Sequence, residues 1–172
     1  GVLKAGQYAL SQALFLPSGK VYPAFAKQMI QDYGITKGIC VDVGSGPASF
    51  AMEMAKASQM TVYALDIDSN AVRLASILVD EAGLTGRVLP LEGDAQNLPF
   101  RDEFADLVFS RGSIPFWPDR EAGVRECYRI LKPGGVAYIG GGFTRILPPE
   151  IREPLAKERA NAGEQEGFRV PD

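Results

Sequence analysis

Apolar positions along the chain follow two periods in alternation. From Tyr22 to Tyr33, Phe25, Ala26, Met29 and Ile30 recur at helical spacing, and Gly34 closes the run. Gly38–Val43 then reads as a buried strand running into Gly44-Ser45-Gly46. Pro47 suits the first turn of a following helix, where its missing N–H costs nothing, with Phe50, Met54 and Ala57 on the apolar face. A second strand, Thr61–Leu65, ends at Asp66. Ser69 or Asn70 is expected to cap the next helix, whose core face is Val72, Ala75, Val79 and Ala82 and which Gly83 stops. Arg87–Leu91 is a third strand leading to Glu92-Gly93-Asp94, and Asn97–Phe100 reads as a turn. Phe104–Ser110 is a fourth. Trp117-Pro118-Asp119 opens a helix with Val124, Cys127, Ile130 and Leu131 inward, and Lys132–Gly135 turns the chain into a last strand, Val136–Ile139. A charged helix over Pro149–Ala162 follows, and residues 1–20 read as a short helix and a loop.

Strands alternating with helical connections specify an α/β fold, a doubly wound, mainly parallel sheet with helices on both faces. Its ligand crevice lies at the carboxyl ends of the strands. A chain of 172 residues fits one domain. It divides into an N-terminal helical segment (1–34), a core (35–145) and a C-terminal helix and tail (146–172).

Composition narrows the chemistry. A net charge of −3 argues against a basic footprint for nucleic acid or an anionic membrane surface. No apolar run reaches the roughly 18 residues that span a bilayer, and the opening residues lack the charged-then-apolar pattern of a leader. Cys40 and Cys127, set in an apolar strand and a helix, read as two buried thiols of a reducing, cytoplasmic compartment rather than a disulfide. The absence of histidine removes the commonest general base and metal ligand, and no metal site is expected.

Three signals fall just past the ends of successive strands. In Asp42-Val43-Gly44-Ser45-Gly46 the glycines let backbone approach a ligand closely and take turn angles closed to other residues. Asp66, at the end of the next strand, is placed to accept hydrogen bonds from the ribose hydroxyls of an adenosine, whereas Asp68 better suits a helix cap. Asp94 can accept from an adenine amino group while the adjacent backbone N–H reads a ring nitrogen. Each alone is as well explained by a turn, a cap or a loop acid. Their conjunction at one crevice points to a nucleoside.

The ordered series Val41–Gly46, Ala64–Asp68, Gly93–Phe100, Ala105–Ser110 and Arg129–Gly135 resembles the motif set of class I S-adenosylmethionine-dependent methyltransferases, over about residues 35–142. Within them it is most similar to the small-molecule branch that includes the ubiquinone/menaquinone biosynthesis methyltransferases. Ser110–Ser113, Phe116-Trp117 and Tyr138–Phe143 further resemble an uncharacterised group of archaeal and bacterial methyltransferases. The resemblance implies a Rossmann-like methyltransferase fold, S-adenosylmethionine as cofactor and S-adenosylhomocysteine as product. It implies that Gly44, Ser45 and Gly46 pass beneath the methionine part and that Asp42 fixes that loop and the cofactor's amino group. Asp66 would bind the ribose, Ile67 would pack on adenine, and Gly93, Asp94 and Ala95 would read the adenine edge. Ser110 and Arg111 would lie nearest the sulfonium methyl. A lid helix places Tyr22 and Phe25 over cofactor or substrate, and Ser113, Phe116 and Trp117 are candidates for acceptor contacts.

Arg111 equally suits pairing with a carboxylate or bracing the loop through backbone carbonyls, and Trp117 suits packing at a helix start somewhat better than lining an acceptor pocket. Two departures from the family stand out. Its third glycine is Ala48 here, and its further C-terminal strands are missing, so Val136–Ile139 is expected to be left as an apolar edge and the natural protein to be longer. Methyl transfer from a sulfonium is an in-line displacement that chiefly needs alignment and exclusion of water, a demand compatible with a chain lacking histidine. No residue declares itself as a base. Two rivals are a module that holds the cofactor or its demethylated product without turnover, and a nicotinamide dehydrogenase. The latter would want glycine where Ser49 stands.

Overall fold

The computed structural model describes residues 19–142 and 144–165. Expectations for residues 1–18, for Phe143 and for the tail from 166 onward lie outside them. Five strands, β1 (Lys37–Val43), β2 (Gln59–Asp66), β3 (Val88–Glu92), β4 (Ala105–Arg111) and β5 (Leu131–Gly140), pair in parallel in the order β3-β2-β1-β4-β5. The helices are α1 (Val21–Tyr33), α2 (Ser49–Ala57), α3 (Ser69–Glu81), α4 (Arg120–Arg129) and α5 (Pro149–Gln165).

The two-residue period of the strands splits the core into two layers. Cys40, Met60, Val62, Leu107 and Phe109 pack with α1, α2 and α3, while Val41, Val43, Leu65 and Val108 pack with Trp117, Cys127 and Ile130 around α4. In the first layer Phe50 stacks on Phe109 with ring centroids 3.5 Å apart, and Phe109 stacks on Tyr138 at 5.6 Å. The expected doubly wound sheet is therefore observed. The chain runs β1 to β3 in one direction and then crosses to the other side of β1 with β4. That reversal puts a crevice beyond the carboxyl ends of β1 and β4.

Local boundaries differ from expectation where a polar side chain or a turn overrides periodicity. Helix α2 starts at Ser49 rather than Pro47, because Ala48 is in the left-handed region (φ 63°), which an α-helix cannot contain. The cap of α3 is Asp68, whose Oδ1 accepts the Asn70 N–H at 2.9 Å. The buried face is consequently Ala71, Ala75 and Val79 rather than one set from Val72. On α4 the buried positions are Gly123 and Cys127, and Val124 is 43% exposed. Trp117 takes the place an inward Val124 would fill: a Cβ on Gly123 would lie 2.4 Å from its ring.

The Lys132–Gly135 turn is an irregularity inside β5. Ala105 pairs with Leu131 and Leu107 with Val136, so the extra residues bulge outward through Gly134 (φ 78°). Asp106 fastens that junction, accepting from the Ile39 N–H at 2.8 Å and from Lys132 Nζ at 3.0 Å. Among the described residues β5 pairs with β4 alone, leaving it at the sheet edge as expected.

Candidate functional site

At the carboxyl edge of the sheet, β1 ends in a turn built from three positive-φ residues, Gly44 (73°), Gly46 (54°) and Ala48 (63°). The turn folds toward β2. The amides of Gly44 and Ser45 both donate to the Leu65 carbonyl, at 2.8 and 2.9 Å, and the Gly46 N–H donates to Asp66 Oδ2 at 2.8 Å. Three consecutive backbone donors are thus committed to the neighbouring strand. A phosphate cradle needs such donors pointing outward, so this loop is not built for a pyrophosphate. Ser45 Oγ is buried and has no hydrogen-bond partner among the described residues.

Asp42, 3% exposed, lies two residues before this turn. Burial first, and then the neighbouring Asp66 carboxylate, push Asp42 well above the usual carboxylate range. Asp66 is also pushed up, by burial, against the opposing pull of the amides of Asp68 and Gly46. Its two oxygens receive one amide each, Gly46 at 2.8 Å on Oδ2 and Asp68 at 2.9 Å on Oδ1. Asp66 thus shapes the glycine turn as well as offering acceptor sites that remain on each oxygen. Beside it Ile67 is 50% exposed, an apolar surface at the strand end.

The loop after β3 is drawn close. Gly93 donates to the Asp66 carbonyl at 2.9 Å, and a Cβ on it would lie 2.6 Å from Leu65 Cδ1, so a side chain there would force the buried Leu65 to shift. Asp94 closes a turn, its Oδ1 accepting from the Gln96 N–H at 2.9 Å and its carbonyl from Asn97 at 3.0 Å. Ala95 is buried. Asp42, Asp66 and Asp94 therefore stand at or just beyond the ends of three adjacent strands, a reach of two strand spacings or roughly 10 Å.

The opposite side is the end of β4. The Ser110 hydroxyl, buried, donates to the Val43 carbonyl at 2.7 Å and ties β4 to β1 across the crevice. Arg111 braces: its Nε donates to the Gly142 carbonyl at 2.8 Å, and its guanidinium lies over the rings of Phe25 (5.2 Å) and Tyr22 (5.8 Å). Phe25 is part of the core, edge-on to Phe109, whereas Tyr22 is half-buried. The aromatic face of α1 is thus joined to the crevice through Arg111. Ser113 sits directly on the turn, since a Cβ on Gly44 would lie 2.1 Å from its Oγ. Ser113 Oγ accepts from Trp117 Nε1 at 2.8 Å, and the buried indole packs on Gly123. Of the two roles open to Trp117, the structure places it in packing. Phe116 is 37% exposed.

Other residues that hold the site carried no signal in the periodicity. Arg129 donates to the carbonyls of Leu98 (3.1 Å) and Phe100 (2.8 Å) and pairs with Glu126 and Asp102, while Glu126 Oε2 accepts the Leu98 N–H at 2.7 Å. Together they pin the loop after β3. Helix α1 is fastened by Thr144 to Gln28, both buried, and by Arg145 to Asp32, with Arg145 Nη1 2.6 Å from Asp32 Oδ2. Arg129 lies in the Arg129–Gly135 motif, its one trace in the sequence.

The chain matches a family model described as a methyltransferase domain over residues 41–139. It is 38% identical to the 2-methyl-6-phytyl-1,4-hydroquinone methyltransferase of Arabidopsis thaliana over 59% of this chain and 29% of that protein. It is 24% identical to a ubiquinone/menaquinone biosynthesis C-methyltransferase of a Marinomonas species over 90% of this chain and 59% of that protein. The crystal structure of a candidate S-adenosyl-L-methionine-dependent methyltransferase from Methanococcus maripaludis superposes with a TM-score of 0.82 at 37% identity, covering 94% of this chain and 73% of that one. The chain thus spans less than two thirds of the length of these two curated relatives.

Proposed function

This chain belongs to the methyltransferase-domain family, and we propose that it transfers a methyl group from S-adenosylmethionine to a small-molecule acceptor, leaving S-adenosylhomocysteine. The observation that carries this reading is the combination at the crevice: the amides of residues 44–46 are turned onto β2, while carboxylates stand at the ends of β1 and β2 and just beyond β3. Such a site repels a dianionic pyrophosphate and suits a ligand with ammonium and sulfonium charges on a nucleoside. The unpartnered Ser45 hydroxyl and the buried Asp42 are polar groups that such a ligand would satisfy.

On this reading Asp42 holds the cofactor's amino group, and Gly44, Ser45 and Gly46 lie under its methionine part. Asp66 takes the ribose hydroxyls, Ile67 covers one adenine face, and Gly93, Asp94 and Ala95 meet the adenine edge. When bound, S-adenosylmethionine supplies a sulfonium-activated methyl carbon open to in-line displacement. The chain's own part is to align and to exclude water. Ser110 and Arg111 border the methyl side from the end of β4, and Arg111 keeps α1 over it through Tyr22 and Phe25. Ser113 and Phe116 border the acceptor. No general base is assigned, and acceptors that are already nucleophilic, such as a thiolate or an enolate-like carbon, need none.

Among the described residues no helix is long and apolar enough to cross a membrane. The two free, buried thiols support a reducing, cytoplasmic setting. Calorimetry with S-adenosylmethionine, S-adenosylhomocysteine and NAD, followed by release of labelled methyl to a panel of small acceptors beginning with hydroquinones, tests the proposal. It predicts binding of both adenosyl compounds, none of NAD, and transfer to at least one acceptor class. Adenosyl binding without transfer to any acceptor favours a non-catalytic binding module, and binding of NAD instead overturns the reading.

A further inference from the structure

Gln96 links the Asp94 carboxylate to the start of α4, beside the Glu126 and Arg129 contacts that hold the rest of the loop. Its backbone N–H and its side-chain Nε2 both donate to Asp94 Oδ1, at 2.9 and 3.2 Å, and Nε2 lies 3.3 Å from Oδ2. Its Oε1 accepts the Asp119 N–H at 2.8 Å. Asp119 in turn caps α4, its Oδ1 accepting from the Ala122 N–H at 2.9 Å. The orientation of the amide follows from its partners, because the Asp119 backbone N–H can meet only the carbonyl, which leaves the NH2 for the Asp94 carboxylate.

We propose that Gln96 is a positioning residue that fixes the nucleobase preference of the site by locking the Asp94 carboxylate in rotation. This rests on the reading in which Asp94 accepts from the adenine amino group. A free aspartate rotates about its last bond and offers either oxygen. Here Oδ1 carries two donors and Oδ2 at most one long one, so Oδ2 keeps the spare acceptor capacity. A carboxylate held as a pure acceptor rewards the 6-amino group of adenine and repels the 6-oxo group of hypoxanthine. One that has lost the Gln96 side chain keeps only the residue 96 backbone N–H on Oδ1, so it can turn about that single bond or recruit water, and discriminates less. The anchor at Asp119 gives the amide its grip, since Gln96 Oε1 meets the rigid start of α4.

The test is equilibrium binding of S-adenosylhomocysteine and of S-inosylhomocysteine to the full chain, its Gln96→Met variant and its Gln96→Glu variant, with melting curves alongside. Gln96→Met keeps the length and the backbone bond to Asp94 and loses the side-chain contacts to Asp94 and Asp119. Gln96→Glu keeps the acceptor for Asp119 and places a carboxylate against Asp94, so it decides the matter should the methionine variant not fold. The unmodified chain is expected to prefer the adenosyl compound by roughly 10- to 100-fold, the value of one hydrogen bond to a charged group. The variants are expected to lose most of that ratio, chiefly by weaker adenosyl binding. A merely structural role would weaken both ligands alike and leave the ratio standing, which overturns the proposal. An unmodified chain without preference instead overturns the adenine role of Asp94, and with it this inference.

Discussion

Replacing Asp42 by asparagine is expected to stabilise the ligand-free protein and, at the same time, loosen its hold on the cofactor. Asp42 is 3% exposed, and burial and the Asp66 carboxylate both act against its charged form. Removing that opposed charge while conserving volume relieves an uncompensated buried polar group, a cost of about 1–3 kcal/mol and more for a charged one. Allowing for the asparagine NH2, which must find an acceptor, about 1–3 kcal/mol remains. For a chain of this size that is a rise in melting temperature of roughly 2–10 °C at neutral pH. The gain must also depend on pH. A carboxyl group whose folded pKa is raised binds more protons in the native state than in the unfolded one between the two values. Its contribution is therefore fully present below the unfolded value near 4 and lost as pH rises through the higher folded value. The advantage of Asp42→Asn should be small at about pH 4 and grow toward pH 7. Asp32, Asp106 and Glu126, held below their usual range, slope the other way, so the quantity to follow is the difference between variant and parent. In calorimetry the same variant should bind S-adenosylhomocysteine roughly 10- to 100-fold more weakly, through loss of the partner for the ammonium group. Melting curves from pH 4 to 8 check the first half. A variant that melts lower at neutral pH, or a difference that does not change with pH, refutes the electrostatic argument.

Ala48, at φ 63°, trades backbone strain of about 1–2 kcal/mol against a fully buried methyl group and reduced unfolded-state entropy. Ala48→Gly should therefore change stability by less than about 1 kcal/mol, and Ala48→Val should cost more than about 2 kcal/mol, in denaturant titrations. Gly44→Ala drives a Cβ to within 2.1 Å of Ser113 Oγ and should abolish adenosyl binding while the far-ultraviolet spectrum is kept. Arg129→Ala releases Leu98, Phe100 and Glu126 together and should cost about 2–4 kcal/mol, with Arg129→Lys restoring little, because an ammonium cannot span that fork. Ser113→Ala removes the acceptor of the single tryptophan and should shift its emission and cost about 0.5–1.5 kcal/mol, read by fluorescence-detected unfolding.

Much of this architecture was legible in the sequence, because strand and helix periods are local and the acids sit at strand ends. Asp42, Asp66 and Asp94 could be placed at or just past the ends of three strands from spacing alone. Boundaries slipped where one residue decides geometry: Asp68, read as suited to a cap, is the cap of α3 in place of Ser69 or Asn70 and shifts its buried face, and Gly134 let β5 absorb a turn as a bulge. What joins the site together was not legible. The Gln96 to Asp119 bond spans 23 residues and the Thr144 to Gln28 bond 116, and no local pattern records such pairings. Arg111 looked equally suited to a ligand or to a brace, and its bracing contacts, the rings of Tyr22 and Phe25 beneath it and the Gly142 carbonyl at its Nε, come from distant parts of the chain. Trp117 was resolved by a glycine on the next helix turn.

A crystal structure of the chain soaked with S-adenosylhomocysteine tests the central claim most directly. The ligand should lie across the ends of β1, β2 and β3, with its amino group at Asp42, its ribose at Asp66 and its adenine between Ile67 and Asp94. Density for the adenosyl group at any other opening, or a ribose that leaves Asp66 untouched, would contradict it.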